Sequence, residues 1–260
     1  MVQARQPGAV QFVHGAAMKP LRPHRIDVLY EDDHLIAVNK PAGVSSAHDA
    51  ARPDEPDLHA LLEARFGRLW LVHRLDRDTS GVIVFARNEA AHRVLSTQFE
   101  GRGVTKIYHA LLVGNPSWAE RTADAPLRVD GDRRHRTVVD AVQGKPSVTH
   151  FRVLQRLKRY VLVEAIPETG RTHQIRVHAA LLGHPIVADD LYGDGKPIFL
   201  SQLKRDYRAN SPEEIPLIGR TALHARRLKL AHPATGEPLD LLAPYAKDFN
   251  AALRQLEKLV

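Results

Sequence analysis

The chain has 260 residues, with 37 Lys and Arg against 30 Asp and Glu, and the formal charge of +7 points to a polyanionic partner, nucleic acid or an anionic membrane surface. It has no cysteine, which excludes a disulfide framework, a thiolate nucleophile and every metal site built on thiolates, and which fits a reducing compartment. Hydrophobic residues make up 43% and charged ones 26%, a globular composition in a chain long enough to bury its own core, and no run approaches the roughly 18 apolar residues of a membrane span.

Residues 1–25 contain Arg5, Lys19, Arg22 and Arg25 and no acid, and Pro7, Pro20 and Pro23 interrupt them. They are expected to form a flexible basic tail on a cytoplasmic protein rather than a targeting segment. His34–Asn39 reads as a short strand, ended by the turn signal Lys40-Pro41-Ala42-Gly43. A loop over 44–56 leads to a short helix over Leu58–Phe66. The apolar run Val82–Ala86 predicts a buried strand, and Asn88 is placed to cap a helix with Ala91, Val94, Leu95 and Phe99 on one face. Strands are predicted at Lys106–Val113, Val148–Leu154 and Tyr160–Ile166, and a helix over 172–182 that Gly183 and Pro185 close. Residues 193–219 show no period and are expected to form a partly helical insertion. Ala222–Ala231 and Leu239–Leu242 flank Pro233-Ala234-Thr235-Gly236-Glu237 as a hairpin, and Pro244 opens a C-terminal helix. Strands in runs, with helices interspersed but not alternating, predict an α+β fold, with one domain over 26–260.

Two polar clusters stand out. His73-Arg74-Leu75-Asp76-Arg77-Asp78-Thr79-Ser80-Gly81 abuts the buried strand, where unpaired charge is costly and is more often placed for a purpose. Glu168-Thr169-Gly170-Arg171-Thr172-His173-Gln174-Ile175-Arg176-Val177-His178 opens the helix at 172. Helical spacing would put His173 and Arg176 on one face, with Ile175, Ala179 and Leu182 toward the core. Arg171 and Thr172 would lie at the helix N-terminus, where backbone amides favour an anion such as a phosphate. Arg133, Arg134 and Arg136 form a basic run, as do Lys204, Arg205 and Arg208, and either run could contact phosphate or simply face solvent. The 15 histidines raise a metal reading, but His173 and His178 are five apart rather than four, and no zinc-type acid follows, so no metal is expected.

The motif His73-Arg74-Leu75-Asp76, with Thr79-Ser80-Gly81 after it, resembles the signature loop of the RluA-type pseudouridine synthases. Val38-Asn39-Lys40-Pro41-Ala42-Gly43, Lys106-Ile107-Tyr108-His109-Ala110, Gly170 to His178, and Leu223-His224-Ala225 with His232-Pro233 resemble the family's other motifs in the same order, across residues 26–245. The resemblance implies a mixed, largely antiparallel central sheet flanked by helices, with a central RNA-binding cleft. It further implies isomerisation of uridine to pseudouridine in RNA without a cofactor.

By the same resemblance Asp76 is the catalytic carboxylate, acting either at C1′ of the sugar as a nucleophile or on a ribose proton as a base. Arg176 is expected to pair with Asp76, and Tyr108 to stack on the base and assist proton transfer from C5. Arg74 would fill the space left by the extruded uridine and Leu223 would pack beneath the base, while His73, Thr79, Lys106, Arg171 and His173 complete the expected RNA-binding set. Asp78, the neighbouring acid, is read as stabilising the loop. The expected partner is a stem-loop of transfer or ribosomal RNA, bound by a monomer without an N-terminal S4-type domain. A rival reading, a non-catalytic RNA-binding protein on the same scaffold, has no explanation for Asp76, Tyr108 and Arg176 occurring together. A metal-dependent hydrolase would require activity that a chelator removes.

Overall fold

Seven consecutive buried residues, Ser80–Ala86, make the strand around which the sheet is ordered. The computed structural model describes residues 26–204, 207 and 214–259, and the expected N-terminal tail, Arg205 and Arg208 lie outside them. The strands are β1 (Asp27–Glu31), β2 (Leu35–Lys40), β3 (Trp70–Leu71), β4 (Ser80–Ala86), β5 (Thr105–Val113), β6 (Glu120–Asp124), β7 (Leu127–Arg128), β8 (Val138–Val139), β9 (Val148–Leu157), β10 (Tyr160–Pro167), β11 (Leu223–Ala231) and β12 (Pro238–Leu242). The helices are α1 (Leu58–Phe66), α2 (Glu89–Glu100), α3 (Gln174–Leu181) and α4 (Lys247–Glu257).

The main sheet has ten strands in the order β1-β2-β4-β11-β5-β10-β9-β6, with β3 added to β4 and β12 to β11. Its pairs are antiparallel except β4 with β11, which run parallel through His224 beside Ser80 and Ala225 beside Gly81. The mixed, largely antiparallel α+β sheet implied by the resemblance is therefore what the chain forms. Strand β2 covers one edge of β4 along its length, so both faces and both edges of β4 are enclosed, which explains the unbroken apolar run.

The β4–β11 junction is unusually close. Gly81 has φ +116°, and a Cβ placed there would lie 2.2 Å from the Ala225 carbonyl oxygen and 2.6 Å from its nitrogen. Only glycine meets both requirements, the left-handed backbone and the missing side chain.

Two apolar cores flank the junction. One gathers residues of β2, β4, α1 and α2, and the other residues of β5, β10, α3 and α4. Tyr108 of β5 packs against both, which places it at the seam.

Several expectations need correction. Asn88 does cap α2, its Oδ1 accepting from the Ala91 amide at 2.8 Å, and Ala91 and Leu95 are buried, but Val94 faces solvent. The second motif's helix begins at Gln174 rather than 172, because His173 is its N-cap in a left-handed conformation. No α-helix occurs among the described residues of 193–219, which instead form turns and an isolated bridge between Ile198 and Ile218. The C-terminal helix starts at Lys247, three residues beyond Pro244. Strand β6 and the β7–β8 hairpin had no clear signal, since β6 is mostly exposed and carries no apolar alternation.

Gly81→Ala is expected to destabilise the fold by about 3 kcal/mol or more, from overlap with Ala225 and backbone strain together. A drop in thermal midpoint of roughly 6 °C or more would register it, and an unchanged melting curve would contradict the close contact.

Candidate active site

Backbone carbonyls withdrawn from water must be satisfied, and the half-buried loop between β3 and β4 receives partners from three separate elements. Ser46 donates its hydroxyl to the Leu75 carbonyl at 2.7 Å and accepts the Leu75 amide at 3.0 Å, standing in for an adjacent strand. Lys40, at the end of β2 and fully buried, donates to the carbonyls of Pro41, Val44 and Arg77 at 3.0, 2.6 and 2.9 Å. Three acceptors match the three protons of an ammonium. Burial pushes the Lys40 pKa down to about 7, opposed by the charges of Asp78 and Asp76.

Arg220 grips the far end of the loop. It donates to the Asp78 carbonyl at 2.9 Å and to the Ser80 hydroxyl at 3.1 Å, while its fork engages both carboxylate oxygens of Asp248 in α4, at 2.7 and 3.0 Å. Ser80 in turn lies 2.9 Å from Nδ1 of His224, whose Nε2 faces the Ala243 carbonyl at 3.3 Å. A carbonyl can only accept, so Nε2 carries the proton and Ser80 donates to Nδ1.

The loop so held projects Asp76 into a cavity of about 540 Å³ at the seam between the two cores. Arg74, Tyr108, Arg176 and Leu223 line it with Asp76, as do His73, Thr79, Lys106, Arg171 and His173. Every expected site residue thus borders one space, although four stretches of sequence supply them. Asp78 does not line it.

The expected Arg176–Asp76 pair is not formed. Arg176 forks onto Asp189, Nε to Oδ2 and a terminal nitrogen to Oδ1, both at 2.7 Å, and both residues are buried. An arginine buried this deeply takes the bidentate, fully desolvated carboxylate over a partly solvated one. Its charge still reaches Asp76 through space, since Asp76 and Asp189 together hold the Arg176 pKa up. Among the described residues, the basic group within 4.0 Å of Asp76 is His173, with Nε2 3.9 Å from Oδ2. His173 and Arg176 therefore do not share a helix face as the spacing suggested; His173 stands before the helix and Arg176 within it.

Other side chains do structural work as well as line the cavity. The His73 ring stacks on Phe99 with centroids 4.4 Å apart, and its Nε2 accepts the Val84 amide at 3.0 Å. Thr79 is buried, and its amide closes the turn on the Asp76 carbonyl at 3.1 Å. Lys106 reaches the Thr169 carbonyl at 3.3 Å. Arg74 is exposed at the mouth. Burial, with the Asp76 charge, pushes the Tyr108 hydroxyl well above the usual phenol range, so it stays protonated.

Lys40, Asp189, Tyr192 and Arg220 had no assigned role in the sequence. For Lys40 a signal existed, a lysine closing an apolar strand. For the other three none did, because their partners are distant in the chain or reached only through a turn.

The model of the family described as RNA pseudouridylate synthase matches residues 34–181. The chain is 40% identical over 233 residues to the ribosomal large subunit pseudouridine synthase D of Pseudomonas aeruginosa, covering 86% of this chain and 69% of that protein. It is 39% identical over 234 residues to the ribosomal large subunit pseudouridine synthase C of Escherichia coli, covering 88% and 69% respectively. The solved structure of human RNA pseudouridylate synthase domain containing 1 superposes with a TM-score of 0.67 at 30% identity, covering 88% of this chain and 86% of that one.

Three imidazoles, His224 buried and His73 and His109 half-buried, predict how the fold responds to acid. Burial lowers the pKa of His73 to about 3 and those of His109 and His224 to about 4, against 6.5 for the free side chain. Between those values the unfolded chain binds protons that the folded one refuses, so stability rises with pH across the window and is lost as pH falls from about 6.5 toward 4. Urea unfolding at pH 7 and pH 5 is expected to show a lower free energy at pH 5, and a smaller difference for His224→Asn. Equal stability at the two pH values would refute the buried neutral state.

Proposed function

The chain belongs to the RluA-type family of RNA pseudouridine synthases, and from that membership we propose that Asp76 is the carboxylate that carries the isomerisation of uridine to pseudouridine. One observation supports this most directly. Asp189, the buried acid nearby, is locked in a bidentate ion pair, whereas Asp76 opens into the cavity with no arginine or lysine within 4.0 Å among the described residues. Of the two acids, Asp76 is the one whose carboxylate faces the space a substrate would enter.

The reaction adds and removes nothing overall. The N1–C1′ bond breaks, the uracil turns so that C5 faces C1′, the C5–C1′ bond forms, C5 loses its proton and N1 gains one. Attack by Asp76 at C1′ and removal of a ribose proton by Asp76 both require an ionised oxygen at the same place. Tyr108, kept protonated, serves as a stacking face and hydrogen-bond donor for the uracil rather than as the base that takes the C5 proton. Leu223 closes the pocket floor.

A uridine inside a stem must leave its stack to reach this cavity. Arg74, at the mouth, is the residue whose planar guanidinium would occupy the vacated position. Lys106 and Arg171 would meet the backbone phosphates, and among the described residues the buried Arg171 Nε has no hydrogen-bond partner. The names of the relatives favour large-subunit ribosomal RNA as substrate, and we propose that the site is a stem-loop there, bound by a monomer. One continuous sheet carries both halves of the cavity, so residues 26–260 would act as a single catalytic domain.

Asp76→Asn is expected to lower pseudouridine formation about a thousandfold or more, with RNA affinity and melting temperature close to wild type. Turnover within tenfold of wild type would overturn the assignment, and mass spectrometry of the modified RNA measures it. Arg74→Ala is expected to reduce turnover more on a folded stem-loop than on a short unstructured RNA of the same sequence. Equal losses on the two substrates would remove the extrusion role.

A further inference from the structure

The turn Asp189–Tyr192 reaches both basic groups beside Asp76. Asp189 holds Arg176, and its Oδ1 also accepts the Leu191 and Tyr192 amides, each at 3.1 Å, which winds the turn and fixes where Tyr192 departs. The Tyr192 hydroxyl oxygen then accepts the Thr137 amide at 3.0 Å and lies 3.0 Å from Nδ1 of His173.

The proton positions follow from what each group can do. A backbone amide only donates, so Tyr192 receives a hydrogen from Thr137 and must place its own. Among the described residues, His173 Nδ1 is the acceptor within reach, and leaving that partly buried hydroxyl proton without a partner would be unfavourable. Burial raises the Tyr192 pKa, which keeps the hydroxyl a donor, and burial lowers that of His173 despite the Asp76 charge, which keeps the imidazole neutral. With Nδ1 accepting, the single ring proton sits on Nε2, the atom 3.9 Å from the Asp76 carboxylate.

The backbone points the same way. His173 has φ 55° and ψ 16°, a left-handed conformation uncommon for a residue with a side chain, at a helix start where its ring makes no capping bond. The ring is turned instead between Tyr192 and Asp76.

We propose that Tyr192 and His173 are positioning residues for the isomerisation: Tyr192 locks His173 as its Nε2–H tautomer, which aims an N–H dipole at the reacting carboxylate. The other tautomer would aim a nitrogen lone pair at the same oxygen and repel it. The proposal rests on Asp76 as the reacting group and adds the device that orients the field around it.

Two measurements test it. In protein labelled with 15N in its histidine rings, the His173 signals, identified by their loss in His173→Gln, are expected to show the Nε2–H pattern at pH 7.5 and a mixture of tautomers in Tyr192→Phe. In kinetics, Tyr192→Phe is expected to lower kcat about tenfold, the size of one lost hydrogen bond, with KM and RNA affinity unchanged. The side-chain amide of His173→Gln keeps an N–H near the Nε2 position, so this variant is expected to outperform His173→Ala. In the His173→Gln background, Tyr192→Phe is expected to cause no further loss. An Nδ1–H pattern in the wild type, or losses that multiply in the double variant, would overturn the proposal. The nitrogen spectrum is read without turnover and so stands apart from the Asp76 assignment: an active Asp76→Asn enzyme would overturn the site reading and this proposal with it, whereas the wrong tautomer would overturn this proposal alone.

Discussion

Three carbonyls of one half-buried loop, those of Leu75, Arg77 and Asp78, are captured by Ser46, Lys40 and Arg220, and the arrangement of the site depends on that capture. A loop without a neighbouring strand has no ladder to satisfy its backbone, so side chains must do it. The three come from the segment after β2, from β2 itself and from the segment before β11. Asp76, in the middle, is thereby fixed relative to both halves of the sheet. The parallel contact of β4 with β11 through Gly81 completes the frame, since it brings the cavity-lining Leu223 next to the loop's exit.

The cavity handles charge by giving each group a different environment. Asp189 is sealed and paired, and it spends its remaining lone pairs on the turn that carries Tyr192. Asp76 opens into the cavity and is held by no fork among the described residues, with Arg176 acting through space and the His173 ring nearby. Tyr108 is kept protonated by burial together with the Asp76 charge. Two acids thirteen positions from Arg176 or further in sequence thus take opposite roles, and the difference is access to water rather than residue type. The hairpin β7–β8 joins this network through the Thr137 amide, which binds a basic excursion of the chain to the wall of the site.

Much of the architecture was legible from local pattern. Buried strand β4 announced itself as five apolar residues in a row, and Asn88 and Gly183 marked helix ends through rules that involve only near neighbours. The hairpin around Thr235-Gly236 followed from turn chemistry. The β6 edge strand was invisible because exposed strands carry little apolar alternation. His173 was misread as helical because a left-handed N-cap has no signature in side-chain spacing.

The sequence by itself determined the class of fold, because periods of two and 3.6 are local properties, and its family motifs singled out residues that the structure gathers around one cavity. Only the tertiary structure decided partnership. Arg176 stood to pair with Asp76 on charge alone, yet it pairs with Asp189, since a buried guanidinium takes the carboxylate that can meet it face to face without water. Lys40, Tyr192 and Arg220 acquired their roles in the same way, through carbonyls and ring nitrogens that come within reach only when the sheet closes around the loop.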